Sequence, residues 1–480
     1  MTMRGRQKSG TADAVKDMTI GKPMGLILSF SFPMFGGMLF QQFYSLMDTL
    51  IVGRFLGVKA LAGVGDTGSI TFMIIGFCMG VCSGFAIPIS QRFGARDYKD
   101  MRRFLAHAVY VCAVLSVVMT LLCSLCCRQM LVAMNTPEDI LEYAYDYLLI
   151  IFIGIPTNLL YNLFSGAIRA LGDSRAPVLF LIVSAFLNIV LDLTLILVIP
   201  MGVSGAALAT VISQLVSGLL ALFYMLKRVE VLRIQKDEWT FRGYYVRVLL
   251  TMGLPMGLQY SITAIGSIVL TTAVNGLGSA YVAAQTAAGR VSNFFGTPYD
   301  ALGSTMATYG GQNVGAKKLD RLNEGLKCAS VIGVAYSVIA FVVMLFFGKS
   351  LAGLFVDGAE AEILDAAAQC LVVSTAFYIP LAFVNIIRFL IQGMGYSGLA
   401  ILAGVLEMIG RALAALVLVP VMGYLGACFA GPIAWVLADA FLFPAYFHVR
   451  RRTYRLFRVP MSEAAQQPTP PCAGDNRRPE

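Results

Sequence analysis

The feature of this sequence that most limits its fold is a series of long stretches that are almost free of charge. Residues 104–127, for example, contain no Asp, Glu, Lys or Arg. About twenty apolar residues are enough for a helix to cross the hydrocarbon core of a bilayer. Twelve candidate stretches are present: 24–52, 60–88, 104–127, 141–164, 177–199, 204–226, 246–274, 280–308, 325–347, 362–392, 398–419 and 424–448. The sequence therefore predicts an all-α integral membrane protein with twelve transmembrane helices.

The overall composition agrees with this prediction. Charged residues make up 13% of the chain, about half of the roughly 25% that is usual in soluble domains. A soluble protein of this length with 58% hydrophobic residues and a mean hydropathy of +0.75 would expose too much apolar surface. Membrane lipid is accordingly the expected partner of most of the chain.

The distribution of lysine and arginine predicts the orientation. If the N-terminus is cytoplasmic, the cytoplasmic segments carry 29 of the 36 Lys and Arg residues, and the outer segments carry four. Positive charge is known to accumulate on the cytoplasmic side of membrane proteins. We therefore expect a multi-pass protein of the cell membrane (plasma or inner membrane) with both termini in the cytoplasm. The same bias explains the net charge of +9 without a nucleic-acid partner.

The two ends of the chain differ from the spans between them. Residues 1–22 are polar and basic and form a predicted cytoplasmic segment, without the short apolar core of a cleavable signal peptide. Residues 450–480 form a predicted cytoplasmic tail, which is basic at first and disordered after Pro460.

The chain also contains an internal repeat. QRFGAR at residues 91–96 returns as QNVGAK at 312–317, and GVSGAALA at 202–209 returns as GYLGACFA at 423–430. The shift is 221 residues in both cases. Because six spans separate the copies, both halves have the same orientation, as in transporters built from parallel repeats. Such halves are typical of alternating-access transporters, and a duplicated bundle with no transport role is the alternative.

The repeat predicts the domain organisation. An N-lobe of residues 23–226 holds spans 1 to 6, and a C-lobe of residues 246–449 holds spans 7 to 12. A basic cytoplasmic linker of residues 227–245 joins the two pseudo-symmetric six-helix bundles.

An aspartate interrupts the first span within QQFYSLMDTLIVG, residues 41–53. A charged side chain near the bilayer centre costs about 2.5–3.5 kcal/mol on insertion scales, so Asp48 is a candidate functional residue. In span 5, Asn188 and Asp192 lie four residues apart and share a helix face. Thr210 follows in span 6, where small neighbours allow close helix approach. Oxygen ligands of these types suit Na⁺, and protonated carboxyl groups suit a proton cycle.

Other polar residues form stripes on helix faces that lipid cannot satisfy. Such side chains must meet protein or water, so they are candidates for lining a substrate cavity. They are Gln41, Tyr44, Ser45, Asn158, Tyr161, Asn162, Gln259, Arg290, Asn293, Asp300, Asn385 and Arg388. Methionine and aromatic side chains in such a cavity would suit bulky organic cations, through adaptable contacts and cation–π attraction.

Three further charged residues lie in the last two spans. Glu407 and Arg411 are spaced i, i+4 on span 11 and predict a structural ion pair, with a gating role as the alternative. Asp439 stands alone in WVLADAFLF of span 12, and the sequence assigns no role to it.

Together these features resemble the multidrug and toxic compound extrusion (MATE) family of transporters. The resemblance covers about residues 20–450. It rests on the duplicated six-span halves, on Pro33 and Asp48 in span 1 and on the N-x₃-D pattern of span 5. The loop motifs QRFGAR, GQNVGAK and RALGDS also belong to it.

The resemblance implies two six-helix lobes arranged as a V around a central cavity, and exchange of Na⁺ or H⁺ for organic cations. The ion site of prokaryotic members maps here onto Asp48, Asn188, Asp192 and Thr210, each with the matching residue type. Some branches of the family have a glutamate in span 7, which this chain lacks. A C-lobe ion site of that kind is therefore not expected, and Glu407 and Asp300 are secondary candidates.

The function expected from the resemblance is secondary active export of organic cations by a monomer, with no cofactor and no metal other than the possible coupling ion Na⁺. A flippase for a lipid-linked precursor or polysaccharide is the runner-up, although only Arg290, Arg388 and Arg411 are available to line its cationic cavity. An integral membrane enzyme is a remote alternative, because the chain has two histidines, no clustered metal ligands, and no nucleophile motif or phosphate loop. Na⁺ and H⁺ use the same oxygen ligands, so the sequence leaves both open.

Overall fold

The computed structural model describes residues 15–134, 136–355 and 361–457, which are helical almost throughout. The α-helices are α1 (Pro23–Leu56), α2 (Val58–Asp66), α3 (Gly68–Gly94), α4 (Tyr98–Ala133), α5 (Glu138–Ile153), α6 (Ile155–Ala170), α7 (Arg175–Leu193), α8 (Val203–Arg228), α9 (Gly243–Asn275), α10 (Ser279–Gly315), α11 (Asp320–Gly353), α12 (Ala361–Ala376), α13 (Tyr378–Gly393), α14 (Ser397–Leu413), α15 (Val419–Met422), α16 (Tyr424–Cys428) and α17 (Ala430–Leu456). The tail that the sequence predicts to be disordered lies outside the described residues, as do the first fourteen residues.

The helices form twelve rods, one for each predicted span. Within the described ranges, nine stretches are long and apolar enough to cross a membrane, and two bent helix pairs raise this number to eleven. The bent pairs are α5 with α6 and α12 with α13. The twelfth rod is α10, which is 37 residues long but carries the polar stripe of span 8. The prediction of an all-α, twelve-span membrane fold is confirmed.

Helix irregularities fall at equivalent places in the two halves. α5 and α6 meet at Gly154 with a bend of 46°, and α12 and α13 meet at Phe377 with a bend of 51°. π-helical turns at Thr194–Val198 and Ala414–Leu418 follow α7 and α14. Wide turns of this type are often found at functional sites. The sequence predicted continuous spans at these places, although Gly154 and Pro156 flank the first bend and Pro380 follows the second.

The backbone conformation repeats with the same period as the sequence. Arg96 and Lys317 both have φ 59°, and Gly202 and Gly423 have φ 63° and 59°. The members of each pair are 221 residues apart. A positive φ is uncommon outside glycine, so its recurrence at Arg96 and Lys317 is a separate sign of duplication. The halves are therefore copies of one six-helix unit, as the sequence predicted.

The two lobes are in close contact where α3 crosses α9. Gly80 and Gly84 of α3 face Gly253 and Gly257 of α9. A Cβ atom on Gly84 would lie 2.5 Å from the Cα of Gly253, and one on Gly80 would lie 2.8 Å from the Cα of Gly257. Only glycine fits at these positions, so the two backbones pack directly against each other, as in other small-residue helix crossings in membranes.

Reciprocal hydrogen bonds join the lobes at the end where the basic loops lie. Gln91 at the end of α3 donates from Nε2 to the carbonyl of Gly393 at 2.9 Å, and its repeat partner Gln312 donates to the carbonyl of Ala170 at 2.9 Å. Gln312 Oε1 also accepts from the backbone N–H of Met18 at 2.8 Å. The segment before α1 therefore takes part in closing the lobes together at this end.

Helix α1 belongs to both lobes. Its first half packs through Ile27 and Phe30 into a hydrophobic cluster that is otherwise made by the C-lobe. Its last turns pack through Ile51 and Val52 into a cluster of the N-lobe. The position of Asp48, near the end of the helix, consequently depends on how the two lobes sit relative to each other.

Candidate functional site

Two acidic side chains face each other within the N-lobe. Asp48 of α1 and Asp192 of α7 interact electrostatically with each other. Asp192 is 0% exposed, and no described group donates a hydrogen bond to either of its oxygens. Oδ1 of Asp48 is also buried without a donor. Because two ionised carboxylates are very costly to bury without a counter-charge, this pair requires a cation, which is either a metal ion or a proton.

Asn188 and Thr210 stand next to this pair. Asn188 lies one helical turn before Asp192 and is 1% exposed. Its Nδ2 donates to Thr210 Oγ1 at 3.5 Å, and the Thr210 hydroxyl donates to the carbonyl of Ala206 at 3.2 Å. Since the amide nitrogen of Asn188 is directed at Thr210, its Oδ1 is left buried with no donor. That oxygen is available as a further ligand for a cation.

Small residues and a wide turn bring α7 and α8 together at this point. The π-helical turn begins two residues after Asp192, and Gly205 of α8 packs against it. A Cβ atom on Gly205 would lie 3.0 Å from the carbonyl oxygen of Leu195. Ala206 and Ala209 are fully buried and continue the same face. The small residues of GVSGAALAT therefore allow the close approach that places Thr210 against Asn188.

Two tyrosines complete the surroundings of the carboxylate pair. Tyr44 lies one turn before Asp48 on α1, and Tyr147 comes from α5. Both interact electrostatically with Asp48 and with Asp192. Tyr44 is among the residues predicted to line the substrate cavity, and it does line it, whereas Tyr147 is not among the predicted residues. The only sequence signal for Tyr147 is EYAYDYLL, where tyrosine recurs at every second position, which is not the spacing of one helix face.

A cavity of about 1470 Å³, partly open to solvent, adjoins these residues. It is walled by α1, α3, α6, α7 and α8 of the N-lobe and by parts of α9, α10 and α13 of the C-lobe. Five of the predicted substrate residues line it: Gln41, Tyr44, Asn158, Tyr161 and Asn162. Asn188 and Thr210 line it as well. The candidate ion site and the cavity therefore share part of one wall.

The wall of the cavity is mostly apolar and almost uncharged. Its adaptable apolar surface comes from Met34, Met38, Met79, Met256, Tyr44, Tyr161, Tyr260 and Phe389. Serine, threonine and amide side chains supply hydrogen bonds between them. Among the described residues of this wall, only Arg169 carries a full charge, and its Nη1 donates to Ser165 Oγ at 3.2 Å. A bulky amphipathic molecule suits such a wall.

The other predicted substrate residues lie outside this wall. Four are exposed on α1 and α10: Ser45, Arg290, Asn293 and Asp300. Three are buried in the C-lobe: Gln259, Asn385 and Arg388. Gln259 Oε1, for example, accepts from Gln392 Nε2 at 2.8 Å. A polar helix face shows that the helix avoids lipid, but it does not show whether the face meets a cavity or a neighbouring helix.

The C-lobe buries its acid beside basic side chains. Glu407 Oε1 of α14 lies 2.5 Å from Arg388 Nη1 of α13, and its Oε2 lies 3.6 Å from Arg411 Nη2. The three side chains are only 5%, 9% and 14% exposed, in the order Glu407, Arg388 and Arg411. The i, i+4 pair expected from the sequence is thus present. Its closer partner is Arg388, which the sequence analysis assigned to the substrate cavity.

Comparison with known protein families agrees with this architecture. The MatE family model matches residues 33–194 and 255–431, one stretch in each lobe. The probable multidrug resistance protein YoeA of Bacillus subtilis is 28% identical over 349 residues, covering 71% of this chain and 74% of that protein. An FAD transporter of Shewanella oneidensis is 25% identical over 373 residues, covering 76% of this chain and 82% of that protein.

Solved structures show the same fold. One, described as the outward-facing conformation of a multidrug resistance MATE family transporter of the MOP superfamily, superposes with a TM-score of 0.84 at 22% identity. The alignment covers 95% of this chain and 100% of that chain. The similar proteins are named as transporters, which agrees with the prediction that this chain is not an enzyme.

Proposed function

Because the chain belongs to the MatE family of multidrug efflux transporters, we propose that it exports organic cations in exchange for Na⁺ or H⁺. It acts as a monomer in the cell membrane, with both termini in the cytoplasm and without a cofactor. The observation that carries the proposal is the Asp48–Asp192 pair, which has no cationic side chain beside it among the described residues and lies next to Asn188 and Thr210 of the cavity wall. Such a pair is suited to bind and release a coupling ion.

Exchange follows from competition for the same negative charge. When no ion is bound, the Asp48–Asp192 pair attracts an organic cation into the adjoining cavity, where tyrosine faces and methionine side chains surround it. When Na⁺ or H⁺ binds between the carboxylates, that attraction is lost and the substrate is released. Ion and substrate therefore favour different states of the protein, which is the condition for coupling.

Helix α1 is suited to transmit the effect of ion binding to the cavity wall. Gln41 and Tyr44, which line the cavity, precede Asp48 on the same helix. An ion that draws Asp48 toward Asp192 therefore moves part of the cavity wall. The first half of α1 packs in the C-lobe, so this movement also acts on the contact between the lobes and favours alternating access.

The test is ion-driven transport of a fluorescent organic cation in inverted vesicles, under a Na⁺ gradient alone and then a pH gradient alone. Asp48→Asn and Asp192→Asn remove the exchangeable charge, so we expect coupled transport to fall at least about tenfold under the gradient that drives the wild type. Asp146→Asn is the matched control, because Asp146 is exposed on α5 next to Tyr147. Full coupling in both site variants would refute the assignment.

One observation favours a second candidate, export of an anionic amphipathic molecule. Arg169 is the only full charge on the described cavity wall, and a relative is named as an FAD transporter. A flavin nucleotide offered to the same vesicles distinguishes the two substrates. If the anion is exported, Arg169→Gln should weaken its transport and leave that of the organic cation unchanged. No flavin-nucleotide transport would leave the organic cation as the substrate.

A further inference from the structure

Glu407, Arg388, Arg411 and Asp439 form a buried charge cluster in the C-lobe, in which both carboxylate oxygens of Glu407 face an arginine. One carboxylate oxygen faces Arg388 at 2.5 Å and the other faces Arg411 at 3.6 Å. Arg411 Nη1 also donates to the carbonyl of Thr263 at 3.3 Å. Both carboxylate oxygens of Glu407 therefore have a charge-assisted partner within the protein.

Asp439 of α17 is the member of this cluster that has no hydrogen-bond partner among the described residues. It is 9% exposed, its Oδ1 is buried without a donor, and it interacts electrostatically with Arg388 and Glu407. The helices that carry Glu407 and Asp439 are in close contact, since a Cβ atom on Gly410 would lie 2.7 Å from the Cα of Ala434. An ionised carboxylate without a hydrogen-bond donor is very costly to bury. A proton on Asp439 would remove this cost.

Arg388 has an unused hydrogen-bond donor, just as Asp439 has an unused acceptor. Arg388 Nε is buried and has no acceptor, although the guanidinium group pairs with Glu407 through Nη1. If Asp439 loses its proton, Arg388 can turn toward it while Glu407 keeps Arg411. Each acid then has one arginine. The cluster thus has two arrangements in which the ionised acids of α14 and α17 each have an arginine partner, and one proton distinguishes them.

The charges on the helices next to Asp439 are consistent with binding and release of one proton at this residue. Arg388 on α13 and Glu407 on α14 both interact electrostatically with Asp439 and with the exposed Asp300 on α10. With Asp439 protonated, the two arginines balance Glu407 and Asp300. With Asp439 ionised, the cluster carries one excess negative charge. A metal cation is disfavoured there because two guanidinium groups already occupy the surroundings.

We propose that Asp439 is a proton-binding residue of the C-lobe, and that release of its proton transfers Arg388 from Glu407 to Asp439. The proton leaves Asp439 for water, and no other bond is made or broken. This site is separate from the Asp48–Asp192 pair and does not depend on the function proposed for that pair. It gives the C-lobe a titratable switch at the contact of α13, α14 and α17.

The test is infrared spectroscopy of the purified full chain during a pH titration, following the C=O stretch of protonated carboxyl groups. All proteins carry Asp48→Asn and Asp192→Asn, so that the N-lobe pair contributes no signal. Adding Asp439→Asn should remove one protonated-carboxyl signal, and because Asn resembles a protonated Asp, this variant should fold. Asp300→Asn, the matched control at an exposed member of the cluster, should retain that signal at acidic pH.

A second variant tests the exchange of partners. Arg388→Met leaves Glu407 paired with Arg411 and deprives ionised Asp439 of its partner. The carboxyl signal should then persist to a pH at least about one unit higher than with Arg388 present. The proposal would be overturned if Asp439→Asn removed no protonated-carboxyl signal, or if Arg388→Met left the pH titration of that signal unchanged.

Discussion

Asp192 in the N-lobe and Glu407 in the C-lobe are buried to nearly the same degree, 0% and 4% exposed, in two halves that are copies of one unit. Their surroundings are opposite. Asp192 faces a second carboxylate and two tyrosines, whereas Glu407 lies between two guanidinium groups. The Asp48–Asp192 pair of the N-lobe needs a cation from outside the chain, whereas Glu407 has cationic partners within the C-lobe.

This difference shows that the two copies of a duplicated fold can have different roles. The carboxylate pair is present only in the N-lobe and the carboxylate–arginine cluster only in the C-lobe. The six-helix unit therefore needs neither set of charges in order to fold. A carboxylate pair without arginine suits reversible ion binding, and a carboxylate with arginines suits a stable contact between helices. Substitutions of matched type in the two lobes should therefore have different effects on stability and on ion binding.

The largest difference is expected in stability. Glu407→Gln leaves Arg388 and Arg411 buried without their counter-charge, which should lower the free energy of unfolding by about 3–5 kcal/mol. Asp192→Asn removes a buried carboxylate that has no protein cation beside it, so the stability should stay the same or rise. Denaturant unfolding in detergent measures both. Equal losses in the two variants would contradict the comparison.

The next effect concerns stabilisation by the coupling ion. An ion that binds only the folded protein adds about 2.7 kcal/mol of stability at 100 times its Kd. Addition of Na⁺ at constant ionic strength, or a lower pH if the ion is H⁺, should raise the Tm of the wild type and not that of Asp192→Asn. Asp439→Asn should keep the response to Na⁺. If Asp192→Asn responds like the wild type, the N-lobe pair is not the ion site.

A smaller effect is expected when one neutral ligand is removed. Thr210→Val deletes the hydroxyl that accepts from Asn188, which should weaken ion binding by about 1 kcal/mol, or roughly fivefold in Kd. Thr271→Val is the control in the C-lobe, because its exposed hydroxyl also donates to the carbonyl four residues earlier. Isothermal titration of the ion would show the difference, and equal affinities would exclude Thr210 as a contributor.

The smallest effect is expected at Tyr147, which interacts with both carboxylates. Tyr147→Phe removes one hydroxyl from their surroundings and should change ion affinity by about 0.5 kcal/mol, or roughly twofold. Tyr143→Phe on the same helix is the control, because Tyr143 is 42% exposed. An equal change in the control would mean that the position of Tyr147 beside the pair has no effect on the ion.

Much of this architecture could be predicted from the sequence because it depends on local properties. Twelve apolar stretches predict twelve rods, since a helix in lipid satisfies its own backbone and needs only sufficient length. The recurrence of QRFGAR as QNVGAK predicts the duplication, which the positive φ values of Arg96 and Lys317 repeat. The spacing of Asn188 and Asp192 places them on one helix face. The role of Asp48, Asn188, Asp192 and Thr210 as an ion site remains a prediction.

Only the tertiary structure decided which helix faces meet. Tyr147 and Asp192 are distant in sequence, and Arg388 reaches Glu407 from another helix, so no local spacing predicts either contact. The polar stripes of α6 and α13 look alike in sequence, yet the stripe of α6 lines a cavity and the stripe of α13 packs within a helix bundle. The physical reason is that sequence periodicity specifies the face that avoids lipid, whereas the partner of that face depends on packing between segments far apart along the chain.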